Sequence, residues 1–183
     1  MAGERDRMNR KHRAVAGGLL LLSAAAANAA KPHEHGVARL DIAVEAARVT
    51  LLLEVPLDSL LGFEREPRSD AERALADAAL ARLRDSATLF RIDPAAHCTL
   101  AKVDLQSAAL GLGGEPASVK EGHADLDATF DFVCKDGSRA GFVEVGLFDA
   151  FARLQRIDVQ AATRKGQLKA TLKRPVKRVP LAR

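Results

Sequence analysis

Two of the chain's five histidines, His33 and His35, stand two positions apart in the stretch Lys31-Pro32-His33-Glu34-His35-Gly36. On an extended chain, residues i and i+2 point to the same side about 6 to 7 Å apart, so these imidazoles can converge on one ion if a further ligand comes from elsewhere. His123 and Asp125, on the polar face of a later alternating segment, are the candidates for that further ligand. Neutral imidazole with carboxylate suits a borderline ion such as Zn2+, with Cu2+ and Ni2+ as chemically permitted competitors. The plainer alternative is a solvated terminus. A terminal-amine copper or nickel site would need histidine third in a processed chain and a deprotonatable amide at position two, which Pro32 lacks. His97, next to Cys98, reads as a loop residue.

Cys98 and Cys134 are the only cysteines. In an exported chain an even pair reads first as a disulfide, closing a loop of about 37 residues and contributing roughly 3 to 4 kcal/mol. A pair of thiolate metal ligands is the alternative. No G-x-S-x-G, no Ser-His-Asp arrangement of signature spacing and no glycine-rich phosphate loop between a strand and a helix is present. The expectation is a protein that is not an enzyme.

Export is read from the N-terminus. Arg10, Lys11 and Arg13 precede the apolar run from Ala14 to Ala27, and Ala27-Asn28-Ala29 supplies a small-x-small cleavage pattern. That run of about 14 residues is shorter than the roughly 20 needed to span a bilayer as a helix, and no other segment comes close. Residues 1–29 therefore read as a signal peptide, residues 30–173 as one domain, and residues 174–183 as a basic tail. The full chain carries 28 basic and 24 acidic side chains, and residues 1–29 take five and two of these, leaving 23 against 22. The basic balance belongs to the targeting segment, and nucleic-acid binding has no support in charge or motif. The cluster KRPVKRVPLAR (173–183) reads as solvated.

The elements that would position the histidines are mostly strands. Residues 36–45 alternate with the two-residue period of a half-buried strand, and Val49, Leu51, Leu53 and Val55 form its hairpin return, ended by Pro56. Residues 57–61 suggest one helical turn closed by Gly62. Ser69 and Glu72 stand in capping-box relation ahead of the one long helix, about Asp70 to Arg84. Strands are expected at 88–92, 99–106, 123–134, 142–145, 157–161 and 167–172, with a short helix over 147–154. The fold class is α+β, a mostly antiparallel, sandwich-like sheet arrangement with one long helix and short helical turns.

The stretches HEHGVARLDIAVE (33–45), LEVPLDSLLGFEREPRSDAER (53–73), LFRIDPAAHCTL (89–100), HADLDATFDFVC (123–134) and LFDAFARLQRIDVQAATRKGQ (147–167) resemble the ZrgA family. These are zinc-regulated periplasmic proteins associated with zinc uptake and with neighbouring ABC transporter components. The resemblance implies a periplasmic, non-catalytic zinc-handling protein in which His33, His35 and His123 hold family histidine positions and Cys98 and Cys134 the family cysteines. It leaves open a second role, as an interaction module of an ABC-type transport complex with incidental histidines. Two departures stand out. The loop SAALGLGGEPASVKEG (107–122) lacks the histidine-rich run of many relatives, so high-capacity loading is not expected. Arg65 replaces a frequent histidine and would set a cation near any site there.

Overall fold

A computed structural model describes residues 34–113 and 124–181. His33, His123, the signal-peptide segment and Arg183 lie outside them. Among the described residues, nine strands form two sheets. The larger has the order β4-β5-β2-β1-β7-β8 and the smaller the order β3-β6-β9. In chain order the elements are β1 (Val37–Val44), β2 (Arg48–Pro56), α1 (Leu57–Leu61), α2 (Asp70–Arg84), β3 (Phe90–Ile92), β4 (Cys98–Gln106), β5 (Asp125–Cys134), β6 (Phe142–Val145), α3 (Leu147–Ala150), β7 (Arg156–Thr163), β8 (Gly166–Lys173) and β9 (Arg178–Pro180). The α+β reading holds.

The alternation seen in the sequence becomes two faces. Ala38, Leu40, Ile42 and Val44 of β1, Val49, Leu51, Leu53 and Val55 of β2, and Leu126, Ala128, Phe130 and Phe132 of β5 are buried on one side of the large sheet. They join Leu80 and Leu83 of α2 and Val143 and Val145 of β6 in a single core. Phe90 of β3 meets Phe130 of β5 with ring centroids 4.8 Å apart, which fixes the small sheet against the large one. With neither Trp nor Tyr in the chain, aliphatic side chains supply most of the interior.

Helix α2 starts and ends where the sequence places it. Ser69 caps it, its hydroxyl accepting from the Glu72 amide at 3.2 Å. The reciprocal half of the capping box differs. Glu72 does not reach back to Ser69 but accepts from the Arg68 amide at 2.6 Å and takes a bidentate pair from Arg65 at 2.7 and 2.8 Å.

Three expectations are corrected. Strand β7, read at 157–161 as completing an antiparallel set with 142–145 and 167–172, instead pairs parallel with β1, Leu40 facing Val159. The intervening chain from β2 to α3 is long enough to make the crossover that a parallel pair requires. The solvated tail is not solvated throughout. Arg178–Pro180 pairs with β6, with Val179 fully buried and Leu181 nearly so. Glu144 of β6 lies between Arg91 of β3 and Arg178 of β9, pairing with both, and these two guanidinium groups hold its carboxyl below the usual range, Arg178 being the stronger influence. Third, the chain is not extended at His35. The Val37 amide donates to the Glu34 carbonyl at 3.1 Å, so His35 sits in a turn ahead of β1.

Among the described residues, no helix is long and apolar enough to cross a membrane.

Candidate functional site

Strand directions gather the candidate residues at one end of the large sheet. β1 is antiparallel to β2, β2 is antiparallel to β5, and β1 is parallel to β7. The starts of β1, β5 and β7 and the end of β2 therefore share an edge. Pro56 at the end of β2 is the register partner of Asp125 at the start of β5, and the Leu57 amide donates to the Ala124 carbonyl at 2.8 Å. The residue following His123 is thus hydrogen-bonded to the residue preceding Asp58.

Gly36 fixes the turn that carries His35. Its φ of +76° is a left-handed conformation that glycine adopts without cost, and an added Cβ would lie 3.3 Å from the Arg153 carbonyl and from the Gln155 side chain. The Gly36 amide donates to the Ser59 hydroxyl at 2.9 Å, and Ser59 is fully buried in α1. The Gly36 carbonyl accepts from the amides of Gln155 at 2.8 Å and Arg156 at 3.0 Å. The turn is clamped between α1 and the segment entering β7, and Arg156 adds a pair with Glu34 at 2.7 Å.

So held, the His35 ring lies between two carboxylates. Its Nδ1 is 3.3 Å from Asp58 Oδ2 and its Nε2 is 3.6 Å from Glu64 Oε1. The imidazole is 60% exposed, whereas the Asp58 and Glu64 side chains are 16% and 11% exposed. Arg153 braces Asp58 from the far side, donating from Nε to the Asp58 carbonyl at 2.8 Å and from Nη2 to Oδ1 at 3.1 Å. The two nitrogens of one ring cannot hold one ion. This arrangement suits one nitrogen kept in place by a carboxylate while the other faces a metal, the second carboxylate beside it. Tetrahedral zinc with bonds near 2.0 to 2.1 Å separates neighbouring ligand atoms by about 3.3 Å, against the 3.6 Å between Nε2 and Glu64 Oε1.

The other sequence candidates divide. Asp125 is half-buried at the same sheet end, and its carbonyl accepts from the Ser107 hydroxyl at 2.8 Å. His33 and His123 fall outside the described residues. Among the described residues, no group of three or more His, Cys, Asp or Glu side chains is arranged to hold a metal ion. Cys98 and Cys134 are excluded as ligands because they form a disulfide across β4 and β5. That bridge lies at the end of β5 opposite Asp125, and His97 is exposed in the turn beside it.

Arg65 does not play the part its position suggests. Its guanidinium is bound to Glu72 and lies 5.0 Å from the Phe63 ring centroid, and it holds the Glu72 carboxyl down to about 2, with the Arg68 amide as the next contribution. The cation paired with Asp58 is Arg153. Sequence reasoning missed Asp58, Glu64 and Arg153, although Glu64 lies inside the GFE stretch quoted above and a strand-ending proline two residues before Asp58 marks where α1 begins.

The model of a family described as ZrgA family zinc uptake protein matches residues 32–181. The chain belongs to the ZrgA family. No curated protein matches it. The matched span takes in every described residue, so the whole fold, with both sheets and the His35 turn, is the ZrgA domain of this chain. Membership ties it to zinc uptake, and His33, His35 and His123 all fall within the matched span.

Proposed function

We propose that the mature chain is a periplasmic, non-enzymatic zinc-binding accessory to zinc uptake, holding one Zn2+ at the sheet end where β1 and β5 begin. The observation that carries the reading is the His35 ring, set between Asp58 and Glu64 at 3.3 and 3.6 Å. In this reading Asp58, already braced by Arg153, orients the ring through Nδ1. Nε2 and Glu64 face the ion, and His33 and His123 complete the set, with Asp125 in reserve. The topology supports a contribution from His123, because the next residue is hydrogen-bonded to α1. Zinc is cargo here. A site with one exposed imidazole and carboxylates from separate elements can be entered from solvent, as delivery or hand-over requires.

Isothermal titration of the mature protein with Zn2+ tests this. Binding is expected, and the His33→Ala, His35→Ala double variant should weaken it about tenfold or more. Binding weaker than about millimolar, or binding unchanged in the variant, would sink the proposal. Association with ABC-type transporter components belongs to the same proposal. If a membrane partner co-purifies in the presence of a chelator while zinc titrations show nothing, the chain is an interaction module instead.

A further inference from the structure

The two edges of the large sheet are finished differently. At β4 the register shifts between Leu100 and Lys102, the disulfide bolts the strand's start to β5, and Lys102 is neutralised by Asp104 at 2.7 Å. Bulges and local pairing of this kind blunt an edge against further strands. At β8 the pairing with β7 runs over eight consecutive residue pairs from Arg156↔Lys173 to Thr163↔Gly166, without a shift. Among the described residues no strand lies on its other side, so alternate backbone N–H and C=O groups along eight residues face outward, the Lys173 carbonyl accepting from the Val176 amide at 2.7 Å.

The charged residues of β8 itself have one sign, and Asp158 of β7, across from Thr171, accepts from the Thr171 hydroxyl at 3.1 Å. No Asp or Glu occurs after Asp158, while residues 159–183 hold eight Lys and Arg. Some of these are used internally: Lys177 pairs with Asp149, Arg178 with Glu144, and Arg174 donates to the carbonyls of Phe151, Ala152 and Leu154. The side chains of Arg164, Lys165, Lys169 and Lys173 make no ion pair or side-chain hydrogen bond among the described residues. Lys169 and Lys173 project from the solvent face of β8, about 13 Å apart at the usual rise per residue. On the opposite face of the strand, Leu168 and Ala170 are only partly buried, although both pack against the core. Unpaired lysines on an edge repel neutral and basic strands, but they match an acidic one.

We infer that the β8 edge is a docking surface for an extended acidic segment of a partner protein, which adds to the large sheet as a seventh strand. Its backbone pairs with β8, carboxylates at alternate positions meet Lys169 and Lys173, and apolar residues between them cover Leu168 and Ala170. The partner is therefore recognised by an alternation of acidic and apolar residues. An anionic lipid surface would use the lysines but neither the strand edge nor the Leu168 face, and it is the rival outcome of the test.

The mature protein, kept in a chelator so that zinc bridges nothing, is titrated into a short fluorescein-labelled peptide alternating Glu with Val, and anisotropy is read. Binding should occur, and Lys169→Glu with Lys173→Glu should weaken it about tenfold or more. Lys102→Glu on the other edge should leave it unchanged. Amide exchange in residues 166–173 should slow when the peptide is added. Lys169→Gln with Lys173→Gln, checked by circular dichroism, serves if the reversal variant fails to fold. Absence of peptide binding, binding indifferent to the lysine changes, unslowed exchange in β8, or lysine-dependent binding only to phosphatidylglycerol vesicles would each overturn the inference.

Discussion

At the scale of single residues, the proposed zinc binding rests on one imidazole whose two nitrogens have different neighbours. Asp58 is already committed to Arg153, which draws charge away from its carboxylate and fixes its position, whereas Glu64 stands 3.6 Å from Nε2, beyond ordinary hydrogen-bond length. The two carboxylates should therefore act by different routes. Glu64→Gln removes a candidate metal-facing oxygen and should weaken zinc binding about tenfold or more, while Asp58→Asn keeps the shape but loses the charge that orients the ring, a loss of the kind that costs about 10- to 100-fold for outer partners of metal-bound histidines. Titration of both variants, with and without His35→Ala, reads this directly. If His35→Ala leaves the affinity unchanged while Glu64→Gln lowers it, the two do not share an ion. His35 was legible in the sequence because histidines at i and i+2 are rare enough to draw notice. Asp58 and Glu64 were not, since a carboxylate reveals nothing of its neighbours until α1 brings it beside the turn.

At the scale of elements, position depends on how the β1 turn is seated. Ser59, buried in α1, offers its hydroxyl oxygen to the Gly36 amide at 2.9 Å. Ser59→Ala leaves that N–H buried without this partner and should cost about 1 to 3 kcal/mol in urea unfolding, with a loss of zinc affinity as His35 drifts from Asp58. Unchanged stability would mean that the turn is held by the Gln155 and Arg156 amides alone. The start of α2 gives a pH test. Arg65 and the Arg68 amide lower the Glu72 carboxyl from 4.5 to about 2, so its ionised form favours the folded state. That contribution is present above the ordinary value and is lost as pH falls from 4.5 toward 2. Glu72→Gln should thus be the less stable protein near neutrality, and the gap should close through this window; a gap constant down to pH 2 would assign the effect to something other than charge. Helix α2 was readable because caps and periodicity are local signals. The parallel partnership of β1 with β7 was not, because alternation gives a strand its two faces and says nothing of its neighbour's direction, and β9 was hidden by a run of lysine, arginine and proline that resembles a tail.

At the scale of the whole molecule, the proposed zinc site and the disulfide occupy opposite ends of one strand. Asp125 begins β5 and Cys134 ends it, so about 30 Å of extended chain separates them at the usual rise per residue. The same strand is paired along its length with β2 and β4, which makes it the rigid member between the two ends. Reduction of the bridge frees a loop closed over a sequence separation of 36 residues and should lower stability by roughly 3 to 4 kcal/mol on a chain-entropy view. It should leave zinc affinity at the far end unchanged wherever the reduced protein remains folded, because neither thiol can reach the His35 turn. Titration of the Cys98→Ala, Cys134→Ala variant with Zn2+ at a temperature well below its unfolding midpoint separates the two effects, with circular dichroism confirming the fold. Equal affinity with reduced stability assigns the cysteines to the frame alone. Lost affinity in a folded variant would mean that the bridge sets the register of β5 along its length, and with it the placement of Asp125 opposite Pro56.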